Sequence, residues 1–410
     1  MDEPIAIADL KRYAADYVLN SGEPFMSLIF QKNGKSVGII GAGPSGLTCG
    51  YYLARLGYTI DIYEEKSVAG GILAYGIPEY RLSKEALAKE INSITQAGIN
   101  IIYNSKIGKD ITFNDLKSKY NAIYIATGTQ LSRKIGIEGE EKKGVYHGLD
   151  FLTDINLKKN VEVKGIVAVI GGGSTAIDAA RSALRLGALK VHILYRRTRE
   201  EMPADKREIQ DALDEGIVLH ELVAPVRFIG TKSVSSIECV KMKPGKFGKD
   251  GRREPIVVPG SNYMIEIDLA IPAVSQYSDF PFITKADVGI TDWGTFIVDP
   301  DTQMTTQPSV FAGGDVARGS DVVITAIADG KNAAKSIDKY LGGKGKLNIG
   351  EPIEIPSKGT EEGNAVEHER FPMHYLDLEQ RKGNFDEVPQ GFHKINAIAE
   401  AMRCLQCSKR

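Results

Sequence analysis

Two clusters of glycines, one pair of arginines and a late pair of cysteines are the residues whose types and spacing could do chemistry. Gly41, Gly43 and Gly46 stand as G-x-G-x-x-G between an apolar run and a helical pattern. In such a turn the first glycine permits the tight bend and the second leaves room for a pyrophosphate against the backbone. The third lets the helix pack close to the strand. Phosphate would then face the unpaired N–H groups of the helix start, where negative charge is favoured. Glu64 follows 23 residues after Gly41, at the end of the next apolar run. A carboxylate there can accept both ribose hydroxyls of an adenosine. Glu65 takes that place if the strand runs one residue further. The alternative is a purely structural turn, but strand, helix, strand and acid all stand in register.

Gly171, Gly173 and Ala176 repeat the device as G-x-G-x-x-A, with alanine in the helix-packing position. The comparable strand now ends in Arg196 and Arg197 instead of an acid. Guanidinium groups at that point can bind a ribose 2′-phosphate bidentately, so the change of charge points to NADP(H) over NAD(H). The competing reading of Arg196, Arg197 and Arg199 is an exposed basic run. Its start where the ribose should sit favours the ligand role. Glu200 and Glu201 follow, either orienting the arginines or standing as surface charge. Asp315, directly after FAGG, is a poor strand continuation but a good hydroxyl acceptor. Its other reading is a helix cap.

Two matching units must position these residues. KSVGIIGAG reads as a strand, Pro44 to Leu56 as a helix ended by Gly57, and YTIDIYE as the next strand. IVAVIGGG, STAIDAARSALRLG and ALKVHILYR repeat that order over 166–196, and both helices end in Arg-Leu-Gly. NAIYIATGT (121–129) and SVFAGGD (309–315) are further strands entering small-residue turns, the latter followed by a helix over 322–341. IEIDLAIPAV (265–274) reads as one strand, and the polar stretch 242–254 as a surface hairpin or loop. The order predicts an α/β fold of two Rossmann-like dinucleotide-binding domains, the second inserted in the first. The expected boundaries are a helical extension over 1–35, a first domain of 36–145 and 300–345, a second of 146–299, and a tail of 346–410.

A chain of 410 residues fits two or three domains, and 42% apolar with 25% charged residues is the composition of a soluble globular protein. The net charge of -2 gives no reason to expect nucleic acid or an anionic membrane as partner. No secretory leader or membrane-spanning run is readable, so a cytoplasmic protein without direct membrane insertion is expected. Its four cysteines are too few and too unevenly spaced for a secreted disulfide framework.

Several longer segments carry a resemblance. They are VGIIGAGPSGL (37–47), YEEKSVAGGILAYGIPEYRL (63–82), IATGT (125–129), VIGGGSTAIDAAR (169–181), YRRTREEMPA (195–204) and FAGGDVARGSDVVITAIADGKNAA (311–334). In this order the chain resembles the small (beta) subunit of NADPH-dependent glutamate synthase and its wider family. That family includes the flavin-containing front end of dihydropyrimidine dehydrogenase and the large subunit of NADH-dependent ferredoxin:NADP oxidoreductase. The resemblance implies a disulfide-reductase-like flavoprotein with FAD in the first domain and NADP(H) in the second. By that resemblance Gly41, Gly43, Pro44, Ser45, Gly46 and Glu64, with Glu65 as neighbouring candidate, hold the FAD diphosphate and ribose. Gly71, Leu73 and Gly76 line the flavin side, and Gly128 approaches the cofactor. Gly314 and Asp315 hold the FAD chain, and Val323 begins a helix aimed at the flavin. Gly171, Gly173, Ser174, Ala176, Arg196 and Arg197 hold NADP(H).

The implied reaction is hydride transfer between nicotinamide and flavin, which asks for no catalytic side chain; the protein supplies orientation and exclusion of water. Cys49 and Cys239 stand alone, and GGILAYGIPEY carries no cysteine, so thioredoxin- or glutathione-reductase chemistry is not expected. Relatives of this kind commonly carry an N-terminal iron–sulfur domain, whereas this chain has no cysteine before Cys49. Its EAMRCLQC segment (400–407) instead places Cys404 and Cys407 as C-x-x-C at the end of a helical pattern. Three readings stand: an iron–sulfur cluster completed by another subunit, zinc with help from His368, His374 or His393, or a pair of unligated thiols. The expected partners are iron–sulfur or flavin-containing subunits, with ferredoxin reached through the complex, as in a ferredoxin- or NAD-linked transhydrogenase. The alternatives are the small subunit of a glutamate synthase and a nonredox assembly subunit stabilised by FAD.

Overall fold

The computed structural model describes residues 3–21, 31–248, 250–284, 287–347 and 369–404. After helix α1 (Ile7–Ser21), strand β1 (Ser36–Ile40) buries Val37, Ile39 and Ile40 and runs straight into the first glycine turn. Helix α2 (Pro44–Arg55) begins on Pro44, whose fixed φ suits a first helical position and whose missing N–H is no loss there. Gly57, at φ +90°, ends it and turns the chain into β2 (Thr59–Tyr63), parallel to β1. The short α3 (Ile72–Tyr75) and α4 (Lys84–Thr95) lead to β3 (Ile99–Ile102), and α5 (Phe113–Lys119) leads to β4 (Ala122–Ile125). These four strands form a parallel sheet in the order β4-β1-β2-β3.

After β5 (Leu131–Ser132) and α6 (Gly148–Asn156) the pattern repeats. β6 (Ile166–Ile170), α7 (Ser174–Arg185), β7 (Lys190–Tyr195), α8 (Lys206–Asp214) and β8 (Val218–Glu221) give a second parallel arrangement. The antiparallel strands β9 (Val223–Ile229), β10 (Ser236–Phe247), β11 (Arg253–Val257) and β12 (Tyr263–Glu266) follow. Next, β13 (Leu269–Pro272) joins β6, and β14 (Gln276–Tyr277) pairs with β5. The single strand expected over 265–274 is therefore two strands in two sheets. The break falls at Asp268, whose Oδ2 accepts the Ile166 N–H at 2.7 Å and so caps the start of β6. Apolar alternation continues across the break, which is why the sequence hides it.

The chain then returns to the first sheet. β15 (Val310–Ala312) pairs with β4 and completes the order β15-β4-β1-β2-β3. The one-turn α9 (Asp315–Arg318) and the long α10 (Val323–Tyr340) follow. α10 packs on α2 at close range: a Cβ at Gly330 would lie 2.3 Å from the Ser45 carbonyl oxygen. One apolar core, including Ile39, Leu53, Ile62 and Ile337, lies beneath α2 and α10. Another, including Val167, Ala179, Ile193 and Ile271, lies beneath α7.

The tail holds more structure than its composition suggests. β16 (His374–Tyr375), β17 (Pro389–Gly391) and α11 (Lys394–Met402) pack beside α1 around Ala6, Phe392 and Ala397. The fully buried Glu400 accepts N–H groups from Ala6 at 2.7 Å and Phe371 at 3.0 Å and pairs with Arg403 at 2.8 Å. The two ends of the described chain are thus tied through one carboxylate, since a buried charge persists only when its oxygens are satisfied.

Candidate functional site

One cleft of about 1050 Å³ opens on both glycine turns. At its first end Gly41 has φ +102°, and a Cβ there would meet the Ala126 carbonyl oxygen at 2.5 Å. Gly46 lies under the turn: its Cβ would fall 2.0 Å from the Gly41 oxygen, so this residue is a packing contact and does not line the cleft. Gly43 caps α2 without any side-chain partner, leaving the first N–H groups of the helix directed at open space. Gly71, at φ +59°, comes up against Gly43. Pro44 and Ser45 line the same end, and the Ser45 hydroxyl is hydrogen-bonded to the Tyr124 hydroxyl at 2.6 Å.

Glu64 is nearly buried directly after β2. Its Oε2 accepts the Ala42 N–H and its Oε1 the Lys66 N–H, both at 2.9 Å. Burial pushes its carboxyl up from the ordinary glutamate value. The carboxylate thus shapes the glycine turn, and each oxygen keeps a further lone pair for a ligand. Glu65 also lines the cleft, but its side chain is turned to Lys106 at 2.9 Å.

Leu73 and Gly76 reach the cleft through the short α3. Lys84 staples that segment by donating from Nζ to the Leu73 carbonyl at 2.9 Å and to the Ile77 carbonyl. Burial brings its ammonium down to about 8. Gly128, at φ +68°, lines the cleft with its carbonyl held by the Ser278 hydroxyl at 2.8 Å. Gly314 and Asp315 enter from the end of β15, the edge strand of the same sheet, and Val323 stands at the start of α10. Asp315 occupies the first turn of α9 while Gly314 holds the cap position. Burial pushes the Asp315 carboxyl up to about 6, although the Thr129 hydroxyl donates to it at 3.3 Å.

The second turn faces the other end of the cleft. Gly171 has φ +149°, and a Cβ there would lie 2.2 Å from the Ala273 carbonyl oxygen. Gly173 and Ser174 line the space, with Gly173 capping α7 through its backbone alone. Ala176 is fully buried beneath the turn, in the packing place that Gly46 holds in the first. Arg196 and Arg197 follow β7 and both line the cleft, but they differ. Arg197 is largely buried and donates from Nε to the Arg253 carbonyl at 2.7 Å, so it is joined to the β10–β11 hairpin. Arg199 turns away, bonded through its backbone to Glu221 and through its side chain to Gln210. Glu201 does orient an arginine, but that arginine is Arg253.

Residues to which the sequence reading assigned no role complete the cleft. Arg81 and Asp178 line it from opposite halves and meet at 2.6 Å. The β10–β11 hairpin, read from its charge as a surface feature, contributes Arg252. Thr129, Gln276 and Ser320 surround Asp315, with Thr129 Oγ1 2.9 Å from Ser320 Oγ and 3.4 Å from Gln276 Oε1.

Cys404 lies exposed just after α11, and Cys407 lies outside the described residues, as does His368. His374 is in β16, and His393 caps α11. Among the described residues no group of three or more His, Cys, Asp or Glu side chains is arranged to hold a metal ion. Cys49 and Cys239 are buried far from one another in sequence and in different cores, and burial pushes the Cys239 thiol up to about 12. No helix among the described residues is long and apolar enough to cross a membrane.

Comparisons with known proteins agree with this architecture. Residues 35–330 match the pyridine nucleotide-disulphide oxidoreductase family. The chain is 39% identical to the NADP(+)-dependent formate dehydrogenase subunit beta of Moorella thermoacetica, over 99% of this chain and 62% of that protein. It is 37% identical to the NADPH-Fe(3+) oxidoreductase subunit beta of Geobacter sulfurreducens, over 99% of this chain and 66% of the relative. The chain therefore spans less than two thirds of the length of each. With the glutamate synthase [NADPH] small chain of Azospirillum brasilense it shares 34% identity over 84% of this chain and 74% of the other. Among solved structures, Mycobacterium tuberculosis FprA in complex with NADPH superposes with a TM-score of 0.65 at 18% identity, over 75% of this chain and 85% of that one. Lactococcus lactis thioredoxin reductase gives a TM-score of 0.57 at 25% identity, over 75% of this chain and 99% of that one. The chain belongs to the pyridine nucleotide-disulphide oxidoreductase family and is a relative of the glutamate synthase small chains.

Proposed function

We propose that the chain is the FAD- and NADP(H)-binding subunit of an electron-transfer complex. The observation that carries this reading is the single cleft shared by two glycine turns, one followed by a buried acid and the other by arginines. Both turns leave space where a bound pyrophosphate would sit: among the described residues beyond the adjoining backbone, a Cβ on Gly43 would come no nearer than 3.9 Å to Gly71 Cα, and one on Gly173 no nearer than 3.9 Å to Pro203 Cγ. In this reading Gly41, Gly43, Pro44 and Ser45 hold the FAD diphosphate, and Glu64 rather than Glu65 takes the adenosine ribose. Asp315, Gly314, Gly128, Val323 and the Gly71–Gly76 segment surround the rest of FAD. Gly171, Gly173, Ser174 and Arg196 receive NADP(H). Bound FAD would accept or donate a hydride at its ring, and the protein contributes alignment and a shielded space.

The names of relatives as beta subunits and small chains support a partner to or from which the electrons pass. The partner we favour carries iron–sulfur or flavin centres, as in a ferredoxin- or NAD-linked transhydrogenase. A glutamate synthase small subunit is the second reading, favoured by the kinship with those chains. The test is anaerobic titration of the FAD-loaded chain with NADPH and with NADH, followed at the flavin absorbance. Bleaching by NADPH at lower concentration than by NADH is expected. A flavin that neither nucleotide bleaches would leave only an assembly role for the bound cofactor.

A further inference from the structure

Three arginines converge where the second nucleotide turn ends, and only two of them stand together in sequence. Arg196, Arg197 and Arg252 all line the cleft there. Arg197 is the least available of the three. Its Nε is held by the Arg253 carbonyl at 2.7 Å, its Nη2 lies 3.8 Å from Asp250, and its side chain is 10% exposed. The hairpin is clamped from a second side, because Glu201 accepts the Arg253 backbone N–H at 2.7 Å and pairs with its guanidinium at 3.3 Å. This double clamp fixes the β10–β11 tip over the end of β7.

Arg252 is more accessible. Among the described residues its carboxylate partner is Asp250, two residues away, at 2.8 Å, with side chains 38% and 43% exposed. A half-exposed pair of this kind is weak, so a phosphate dianion can compete for the guanidinium. Arg196 makes no ion pair or hydrogen bond with any described residue. Burial, then the charges of Arg197 and Arg252, hold it below the ordinary arginine value. Asp250, which does not itself line the cleft, is the acid whose charge acts on these cations, and the three arginines leave an excess of positive charge on the cleft wall.

We infer that Arg252, carried on the β10–β11 hairpin, binds the 2′-phosphate of NADP(H) together with Arg196, while Arg197 is a positioning residue that holds the hairpin in place. This rests on the NADP(H) reading of the second turn. It assigns a specificity role to a segment that is remote in sequence from the nucleotide motif.

The experiment measures dissociation constants of NADP+ and NAD+ for the FAD-loaded full chain and its variants. Arg252→Ala should weaken NADP+ by about tenfold or more, as loss of a charge-assisted contact does, and leave NAD+ unchanged. Arg252→Lys should fall between. Because Arg197 acts through the hairpin, Arg197→Ala should weaken NADP+ in the parent but add little in the Arg252→Ala background. Flavin occupancy serves as the check on folding. If Arg196→Ala lowers the preference for NADP+ while Arg252→Ala leaves it unchanged, the inference falls and the NADP(H) site stands. If neither substitution changes the preference, both fall.

Discussion

Arg81 Nη1 lies 2.6 Å from Asp178 Oδ2, joining the loop after α3 in one nucleotide unit to α7 in the other. Arg81 also reaches Glu208 on α8, and Asp178 is almost wholly buried. Burial raises the Asp178 carboxyl to about 6 in spite of the arginine beside it. Asp178 Oδ1 has no hydrogen-bond partner among the described residues, and Asp178 lines the cleft. The contact therefore ties together the two glycine-turn units on either side of the cleft.

The losses from removing the two partners of this pair should not add. Arg81→Ala leaves a buried acid without its cation, at a cost of about 3–5 kcal/mol before relaxation. Arg81→Ala/Asp178→Ala removes the uncompensated charge, so its loss should be clearly less than the sum of the two single losses. Denaturant unfolding of the four proteins measures the coupling. Strictly additive losses would show that the two residues do not act as a pair.

In the proposed reading Glu64 has two tasks in one carboxylate, and a substitution should reveal both. Glu64→Ala removes the acceptor for the Ala42 and Lys66 N–H groups as well as the ribose contact proposed for it. FAD affinity should fall by about 1.5–3 kcal/mol, the range of a hydrogen bond to a charged group. Arg196→Ala should leave FAD in place. Flavin occupancy after dilution compares the two, and equal retention would remove Glu64 from the FAD site.

Much of this was legible in the sequence, and the exceptions share one cause. Strand, glycine turn and helix are local, so β1, α2, β6 and α7 stand where periodicity predicts them, with Gly46 and Ala176 beneath their turns. Arg81 and Asp178 are 97 residues apart, and their meeting depends on how two units pack. The 242–254 stretch looked like a solvated hairpin because charge is usually solvated. It is a hairpin, but Arg197 and Glu201 pull its tip onto the cleft. The tail lacks apolar rhythm because polar contacts hold much of it, among them Glu400 with Ala6 and Arg12 with Glu387. Such contacts leave no period to read.

Asp315 should make the cofactor-free protein less stable as pH rises. Its folded value of about 6 is above the ordinary aspartate value of 3.8, so the folded state holds the proton more tightly than the unfolded chain. Its contribution is fully present below about 4 and is lost as pH rises through about 6. Allowing for partial solvent screening, the effect is on the order of 1–2 kcal/mol. Asp315→Asn should flatten this part of the stability profile, raise the Tm of the cofactor-free chain near neutral pH and weaken FAD binding. An unaltered slope between pH 4 and 7 would place the titration elsewhere, as those pH limits follow from the shift just described.

The C-terminal cysteines carry the prediction that depends most on a partner. Cys404 is exposed immediately after α11, where Ile395, Ile398 and Met402 are also exposed on the same helix. Cys404 thus lies beside an apolar helical surface, while Cys407 lies outside the described residues. Two thiolates in C-x-x-C spacing can bind one centre, but an iron–sulfur cluster or a closed zinc site needs further ligands. We expect those ligands from another subunit, so the isolated chain should bind metal weakly and the native complex tightly. Cys404→Ser/Cys407→Ser should lower the iron or zinc content of the complex and loosen its assembly, with visible spectra telling a cluster from zinc. FAD and NADP+ binding should be unchanged, because both proposed sites lie in the cleft between the glycine turns. A double variant with full metal content and unaltered assembly would leave the pair as unligated thiols.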